Sequence, residues 1–142
     1  VRAGREILSF EEAIEQEPAR INNDLERIKA DPDYTGRKYR HYSDIERGKY
    51  VEQLKNWSRF FNREQMLVLD SESFWRSPDD TFVKVFDFLG VEQIKVPIKK
   101  KYNTGDYKSG MDSETREKLI NLYRPYNDEL FDFLGTEFDW NK

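Results

Sequence analysis

The chain has 142 residues, of which 37% are hydrophobic and 37% charged, and its formal net charge at pH 7 is −4. This length predicts one domain or part of one, and the acidic balance argues against a nucleic-acid surface. There is no cysteine and only one histidine, which excludes a disulfide framework and a thiolate or multi-histidine metal centre within this sequence. No apolar run approaches the length of a membrane span, and no signal peptide is recognisable.

The first part of the chain predicts an interrupted amphipathic helix. Residues 9–12, Ser-Phe-Glu-Glu, have the pattern of a capping box, so we expect a helix to begin there. Pro18 should limit or reset this helix, because proline has no amide hydrogen to donate. The apolar spacing over residues 21–28 then predicts a second helical segment. The Asp-Pro-Asp sequence at 31–33 should end it, and residues 31–43 are expected to form a loop.

The middle of the chain predicts a longer helix followed by a strand. A helical period returns at Asp44 and continues to about Phe61, and we expect Tyr50 and Trp57 to pack against the core or a neighbouring helix. The following segment, residues 65–70, contains four consecutive apolar residues and predicts a parallel strand that is covered on both faces. Either residues outside this chain complete the sheet, or the segment is not a strand, and we favour the first interpretation.

Two further helices are marked by their ends. Ser77-Pro78 should begin one helix and Gly90 should end it, so that strand, loop and helix follow in the order of an α/β unit. Asp112-Ser113 should begin the last helix, which is expected to end at Gly135. Pro125 should kink this helix or split it in two.

A basic segment stands out in the acidic chain. Residues 95–108 contain five lysines and one aspartate, a local charge of +4. A glycine among these lysines indicates an anion site, although a solvated loop rich in lysine is the alternative. A second basic cluster, Arg37, Lys38 and Arg40, would suit an acidic acceptor such as a glycan, but exposed loops often have this composition.

Four blocks of sequence together resemble a known family. The motifs of Walker loops, dinucleotide-binding loops, serine hydrolases and zinc proteases are absent. In order and spacing, the blocks resemble the C-terminal half of the sulfotransferase family that uses 3′-phosphoadenosine 5′-phosphosulfate (PAPS), in its bacterial and heparan-type branch. The blocks are Arg47-Gly48-Lys49-Tyr50 with Gln53-Leu54 and Trp57; Met66-Leu67-Val68-Leu69 with Ser71-Glu72-Ser73-Phe74; Pro78, Val85 to Phe88 and Leu89-Gly90-Val91; and Asn103 to Tyr107 with Met111-Asp112, Glu114-Thr115-Arg116, Leu119, Tyr123, Pro125, Asn127 and Leu130.

The resemblance implies an α/β fold of the P-loop-NTPase-like sulfotransferase type with a central parallel sheet. Residues 1–142 would be the mostly helical C-terminal part of a single sulfotransferase domain, with residues 65–70 as one strand of the sheet. The donor phosphate loop, its catalytic lysine and the upstream acid–base residue would precede Val1. No catalytic residue is therefore assigned within this chain, and the chain alone is expected to be inactive.

The resemblance also implies which residues bind PAPS or its product, 3′-phosphoadenosine 5′-phosphate (PAP). By position, the loop that closes over the nucleotide corresponds to Lys101, Asn103, Thr104, Gly105, Asp106 and Tyr107. Lysine charges attract phosphates, and a glycine lets backbone N–H groups approach them. Asp106 departs from the pattern of the family, because a carboxylate beside a phosphate is unfavourable, so it should point outward or pair with a lysine.

Four residues are candidates for binding the acceptor. Arg47, Gly48 and Lys49 precede a helix body and would line the acceptor cleft. His41 would be an acid–base group or an acceptor contact, or else a surface histidine without a role in the site. The pattern of the family requires no metal.

The implied reaction is transfer of a sulfuryl group from PAPS to a hydroxyl or amine of a small molecule or glycan, with a saccharide as one expected class. Positioning and charge stabilisation would supply most of the catalysis. Two alternatives stay open: a non-catalytic helical module for protein interaction, and another P-loop enzyme such as a small-molecule kinase. The expected compartment is the cytoplasm, or the Golgi lumen for a eukaryotic protein.

Overall fold

The computed structural model of the chain describes residues 6–31, 33–97 and 110–140. Within these residues the regular structure is helical throughout, and no strand is formed. The α-helices are α1 (Phe10–Ala30), α2 (Arg37–Tyr42), α3 (Asp44–Gly48), α4 (Tyr50–Trp57), α5 (Ser71–Arg76), α6 (Pro78–Leu89) and α7 (Ser113–Leu134), and a short 3₁₀ helix covers Arg63–Gln65. None of these helices combines the length and apolar character that crossing a membrane requires.

The chain divides into two compact units that are not each continuous in sequence. The first unit consists of Val1–Lys55 and Met111–Lys142, and the second consists of Asn56–Gly110. The first unit therefore contains α1 to α3, most of α4, and α7, whereas the second contains the last two residues of α4 together with α5 and α6.

Helix α1 begins as predicted but does not stop where predicted. The Ser9 hydroxyl accepts from the backbone N–H of Glu12 at 3.2 Å, and the Glu12 carboxylate accepts from the N–H of Ser9 at 2.9 Å, which confirms the capping box. The expected limit at Pro18 was wrong, because the helix continues through it to Ala30. Buried residues lie on both sides of the proline, so packing stabilises the helix before and after it despite the missing hydrogen bond.

The prediction of a loop over residues 31–43 was wrong, because Arg37–Tyr42 forms helix α2. Its N-cap residue is Gly36, which has no side chain to cap the helix. A Cβ at this position would lie 2.5 Å from Cδ1 of Ile28, so a glycine allows the entry of α2 to approach α1 closely. The local sequence therefore contains no capping signal for this helix.

The cap of α2 comes from α1 instead. The buried carboxylate of Asp24 accepts from the backbone N–H groups of Lys38 at 2.6 Å and Tyr39 at 3.1 Å, and from the Tyr34 hydroxyl at 2.8 Å. The backbone hydrogen bond from Tyr39 is the main reason that the pKa of Asp24 is lowered from its ordinary value. A side chain remote in sequence thus satisfies amide groups that a local N-cap normally would.

The predicted helix from Asp44 to Phe61 is divided in two at Lys49. Helix α3 ends at Gly48, where the N–H of Lys49 bonds to the carbonyl of Glu46, and α4 then runs from Tyr50 to Trp57. Tyr50 and Trp57 are each about half exposed, so neither lies in the core, which was one of the two positions expected for them. The ring of Tyr50 nevertheless meets Trp140, with 6.1 Å between their centroids.

Helix α7 begins and ends as predicted. The Asp112 side chain accepts from the N–H of Thr115 at 3.0 Å, and Gly135 closes the helix with a left-handed φ of 66°. The helix is not split at Pro125. Beyond its end, two aromatic rings return to Phe131, with centroid distances of 5.7 Å for Phe138 and 5.9 Å for Trp140.

The strand predicted at residues 65–70 was wrong. The backbone is extended at Met66 and Asp70, but a strand requires hydrogen bonds from a neighbouring strand, and the described residues supply none. Asp70 instead begins α5, a helix that the sequence reading missed, by accepting from two consecutive backbone N–H groups. Helix α6 has the predicted ends, with Pro78 in its first turn and Gly90 at a left-handed φ of 65°.

We expect replacement of Asp24 by asparagine to alter how stability depends on pH. Because the folded pKa of Asp24 lies below its ordinary value of 3.8, the stability that it contributes is present above that value and is lost as pH falls through the folded pKa. The variant cannot lose this contribution on acidification. The difference in free energy of unfolding between the wild type and Asp24→Asn should therefore shrink as the pH falls below 3.8, as measured by urea denaturation. A difference that stays constant with pH would contradict this assignment.

Candidate functional site

The first unit contains a cleft of about 440 Å³ between the α3–α4 junction and α7. Its wall combines two arginines and one carboxylate with three aromatic rings. The residues that line it are Asp44, Arg47, Gly48, Tyr50, Met111, Arg116, Leu119, Ile120, Tyr123, Asn127 and Trp140. Aromatic surface with a few charged groups is the chemistry of a binding site for a small polar molecule or a sugar.

Gly48 and Tyr123 form a tight contact in the wall of the cleft. A Cβ at Gly48 would lie 2.6 Å from the Cε1, Cζ and Oη atoms of Tyr123. The Tyr123 hydroxyl donates to the backbone carbonyl of Ile45 at 3.1 Å, which ties α7 to α3. Burial raises the pKa of Tyr123 to about 12, and the negative charge of Glu17 adds to this effect. The hydroxyl therefore stays protonated at neutral pH and keeps donating this hydrogen bond.

Arg47 is exposed but is held by backbone contacts. Its guanidinium donates to the carbonyl of Arg40, and its own carbonyl accepts from the Gln53 side chain at 2.8 Å. Arg116 lies within the first two turns of α7 and lines the same cleft. Two guanidinium groups on one cleft favour an anionic ligand group, because each presents several N–H donors in a planar arrangement.

Lys49 lies apart from this cleft, although it follows Gly48 directly. It pairs with Glu46 and lies 5.0 Å from the ring centroid of Tyr126. Burial alone would lower the pKa of Lys49, but the hydrogen bond and charge of Glu46 outweigh it and raise the pKa. A second cavity of about 320 Å³ is lined by Lys49, Glu46 and Tyr126, together with Glu17 and residues of α1. Of the three consecutive residues predicted to bind the acceptor, the structure brings Arg47 and Gly48 together in the cleft, but not Lys49.

The other predicted site residues are His41, which does not line the cleft, and the donor-binding residues, which fall outside the described part of the chain. His41 belongs to α2, where its ring meets that of Tyr42 at 6.3 Å, and it is not among the cleft residues. The predicted donor-binding residues, Lys101, Asn103, Thr104, Gly105, Asp106 and Tyr107, lie outside the described residues and stay a prediction. Among the described residues, no group of three or more histidine, cysteine, aspartate or glutamate side chains is placed to hold a metal ion.

The sequence reading assigned no role to the cleft residues of α7. Arg116, Tyr123 and Asn127 belong to the blocks that carry the resemblance, and they are spaced seven and four residues apart. This spacing puts them on one face of a helix, which was a usable signal. What the sequence did not indicate is that this face lines a cleft rather than the core.

Comparisons with known proteins agree with the resemblance. No protein-family model matches the chain. The chain is 30% identical over 91 residues to membrane-associated sulfotransferase kil1 of Dictyostelium discoideum, a match that covers 64% of this chain and 19% of that protein. It is 27% identical over 123 residues to human heparan sulfate glucosamine 3-O-sulfotransferase 3B1, covering 70% of this chain and 32% of that protein. The chain thus spans about a fifth to a third of these curated relatives.

A solved structure is similar over nearly the entire chain. The crystal structure of a sulfotransferase from Alicyclobacillus acidocaldarius matches with a TM-score of 0.70 and 27% sequence identity. The match covers 99% of this chain and 49% of the other. The two units and their helices therefore have counterparts in about half of a larger solved protein.

We expect Gly48→Ala to destabilise the first unit, although alanine is otherwise the better residue in a helix. The added methyl group would push the Tyr123 ring away and break its hydrogen bond to Ile45. The loss in free energy of unfolding should be about 1–3 kcal/mol, measured by urea denaturation. Gly110→Ala is the matched control, because a Cβ there meets no atom within 4 Å. In a Tyr123→Leu background, Gly48→Ala should become nearly neutral; an undiminished loss there would contradict the proposed clash.

Proposed function

This chain belongs to the sulfotransferase family, and from that premise we propose that the protein transfers a sulfuryl group from PAPS to a hydroxyl or amine of an acceptor. We further propose that the acceptor is a saccharide and that it binds in the cleft between α3 and α7. The observation that carries this proposal is the combination of Arg47 and Arg116 with aromatic rings on a single cleft. The aromatic faces would contact the apolar face of a sugar, and the guanidinium groups would bind its anionic substituents.

The chain's own residues would bind and orient the acceptor rather than supply a nucleophile. Arg47 is held by the Arg40 carbonyl, so its guanidinium is directed before the acceptor arrives. The high pKa of Tyr123 makes it a hydrogen-bond donor and not a general base. The catalytic base stays unassigned, and the contribution of these residues to the rate would be orientation of the attacking hydroxyl or amine.

We propose that the donor binds at Lys101 and residues 103–107. PAPS supplies the sulfuryl group, and the lysine and backbone N–H groups of this segment would hold its phosphates. Support comes from the place of the segment in the sequence. It precedes the Met111-Asp112 block and corresponds to the loop that closes over the nucleotide in the family that the chain resembles.

Sulfuryl transfer with variants of the two arginines tests the acceptor cleft. With radiolabelled PAPS as donor and heparan sulfate as acceptor, we expect Arg47→Ala and Arg116→Ala each to raise the acceptor KM about tenfold, equivalent to about 1.4 kcal/mol. The KM for PAPS should change little. Arg124→Ala is the control, because Arg124 is exposed on the same helix as Arg116 but is not among the cleft residues. Equal effects of all three substitutions would remove the cleft from the proposal.

Binding of PAP tests the donor segment separately. In calorimetric titrations, the double variant Lys101→Ala, Tyr107→Ala should bind PAP about tenfold more weakly than the wild type. The control is Lys84→Ala, which removes an exposed lysine from α6. Binding that is unchanged in the double variant would remove these residues from the donor site. Both tests use the longest form of the protein that contains this chain, because the chain alone is expected to be inactive. If that form neither binds PAP nor transfers a sulfuryl group, the proposed function is wrong.

A further inference from the structure

The wall of the cleft depends on a helix that cannot cap itself. Helix α3, Asp44–Gly48, has five residues, and a helix of that length is not stable by itself. Its N-cap residue, Ser43, is fully buried and makes no side-chain capping bond. The Ser43 hydroxyl has no hydrogen-bond partner in the described part of the chain. The first turn of α3 must therefore be held by groups from other helices.

Glu17 of α1 supplies this support. One carboxylate oxygen accepts from the N–H of Ile45 at 2.7 Å, and the other accepts from the N–H of Glu46 at 2.9 Å. Glu17 is only 2% exposed, so water does not compete with these bonds. From the opposite direction, the Tyr123 hydroxyl of α7 donates to the carbonyl of Ile45. The first turn of α3 is thus fixed by two N–H bonds from α1 and one carbonyl bond from α7.

The same short helix contributes residues to the cleft. Asp44, Arg47 and Gly48 of α3 all line it, whereas Glu17 faces the separate cavity beside Lys49. We propose that Glu17 is a positioning residue for acceptor binding, which acts through the first turn of α3 to set the place of Arg47 and Gly48. This inference rests on the proposed function, because it assigns Glu17 a role in binding the acceptor of that reaction.

The protonation state of Glu17 bears on this role. Burial raises the pKa of Glu17, and the negative charges of Asp44 and Glu46 add to the rise, while the bonds from Ile45 and Glu46 oppose it. A protonated carboxyl would turn one oxygen into a donor that faces a backbone N–H donor. Acidification should therefore loosen the first turn of α3. The titratable groups that surround Glu17 are Tyr39 of α2, Asp44 and Glu46 of α3, Lys49, and Tyr123 and Tyr126 of α7.

Steady-state kinetics of Glu17→Gln separate positioning from general stability. The amide oxygen of glutamine can accept one of the two N–H groups, but its nitrogen cannot accept the other. With heparan sulfate as the varied acceptor and saturating PAPS, we expect the acceptor KM to rise about tenfold while kcat and the PAPS KM change less than about twofold. Asp70→Asn is the matched control: Asp70 accepts from two consecutive N–H groups of α5, and the described cleft residues include none from α5. This variant should leave the acceptor KM unchanged.

A pH profile of the wild type, compared with that of Glu17→Gln, gives a second measurement. The acceptor KM should rise as the pH falls through the raised pKa of Glu17, and Glu17→Gln should lack this part of the profile. Titration of any other group, including groups of the acceptor itself, persists in Glu17→Gln, so the comparison isolates Glu17. An unchanged acceptor KM in Glu17→Gln, or equal changes in that variant and in Asp70→Asn, would overturn the inference. Failure of the proposed function is visible separately, because the wild type would then neither bind PAP nor transfer a sulfuryl group, and the inference would fall with it.

Discussion

Two carboxylates on α1 hold the first unit together, since each supplies the N-terminal hydrogen bonds of another helix. Glu17 caps α3 and Asp24 caps α2, and their spacing of seven residues places both on one face of α1. Neither recipient helix has a capping side chain of its own. Among the residues that the structure describes, five hydrophobic and five polar side chains are buried, and the polar ones include both carboxylates. Directional hydrogen bonds, more than apolar volume, therefore decide where α2 and α3 lie.

Asp24 and Glu17 each accept from two backbone N–H groups of another helix, but their electrostatic surroundings differ. Asp24 gains a third donor from the Tyr34 hydroxyl and lies near the charge of Lys38, and its pKa is lowered. Glu17 is surrounded by Asp44 and Glu46 and is more strongly desolvated, and its pKa is raised. Asp24 favours folding most when it is ionised, whereas protonation of Glu17 removes the cost of burying its charge but turns one of its oxygens from an acceptor into a donor.

The limits of the sequence reading follow from where each hydrogen bond originates. Ends defined by local residues, such as the Ser9 box, Asp112, Pro78 and Gly135, were predicted, because the capping partner lies within a few residues. Helix α2 was missed because its cap lies 14 and 15 residues away in sequence. The strand at residues 65–70 was predicted from an apolar run, although a strand also needs a partner that this pattern cannot specify.

The sequence likewise indicated some of the cleft residues and not others. Arg47 and Gly48, which the sequence predicts as acceptor-binding residues, both line the cleft, but the adjacent Lys49 does not, because α3 ends there and the side chain turns to Glu46. The face of α7 that carries Arg116, Tyr123 and Asn127 was visible in the spacing. This face meets α3 where Tyr123 contacts Gly48. In the sequence, the whole second unit lies between these two residues. Such a contact is set by tertiary structure and leaves no local pattern.

The discontinuity of the first unit in sequence has a consequence for biosynthesis. Residues Asn56–Gly110 are translated between its two parts, and at about 5–20 residues per second this takes roughly 3–10 seconds. During that interval Glu17 can already reach the amide groups of α3, but the carbonyl of Ile45 still lacks the Tyr123 hydroxyl. Helices α1 to α4 thus leave the ribosome as a half-assembled unit. The rate of translation across Asn56–Gly110 would set how long the nascent chain stays in that state.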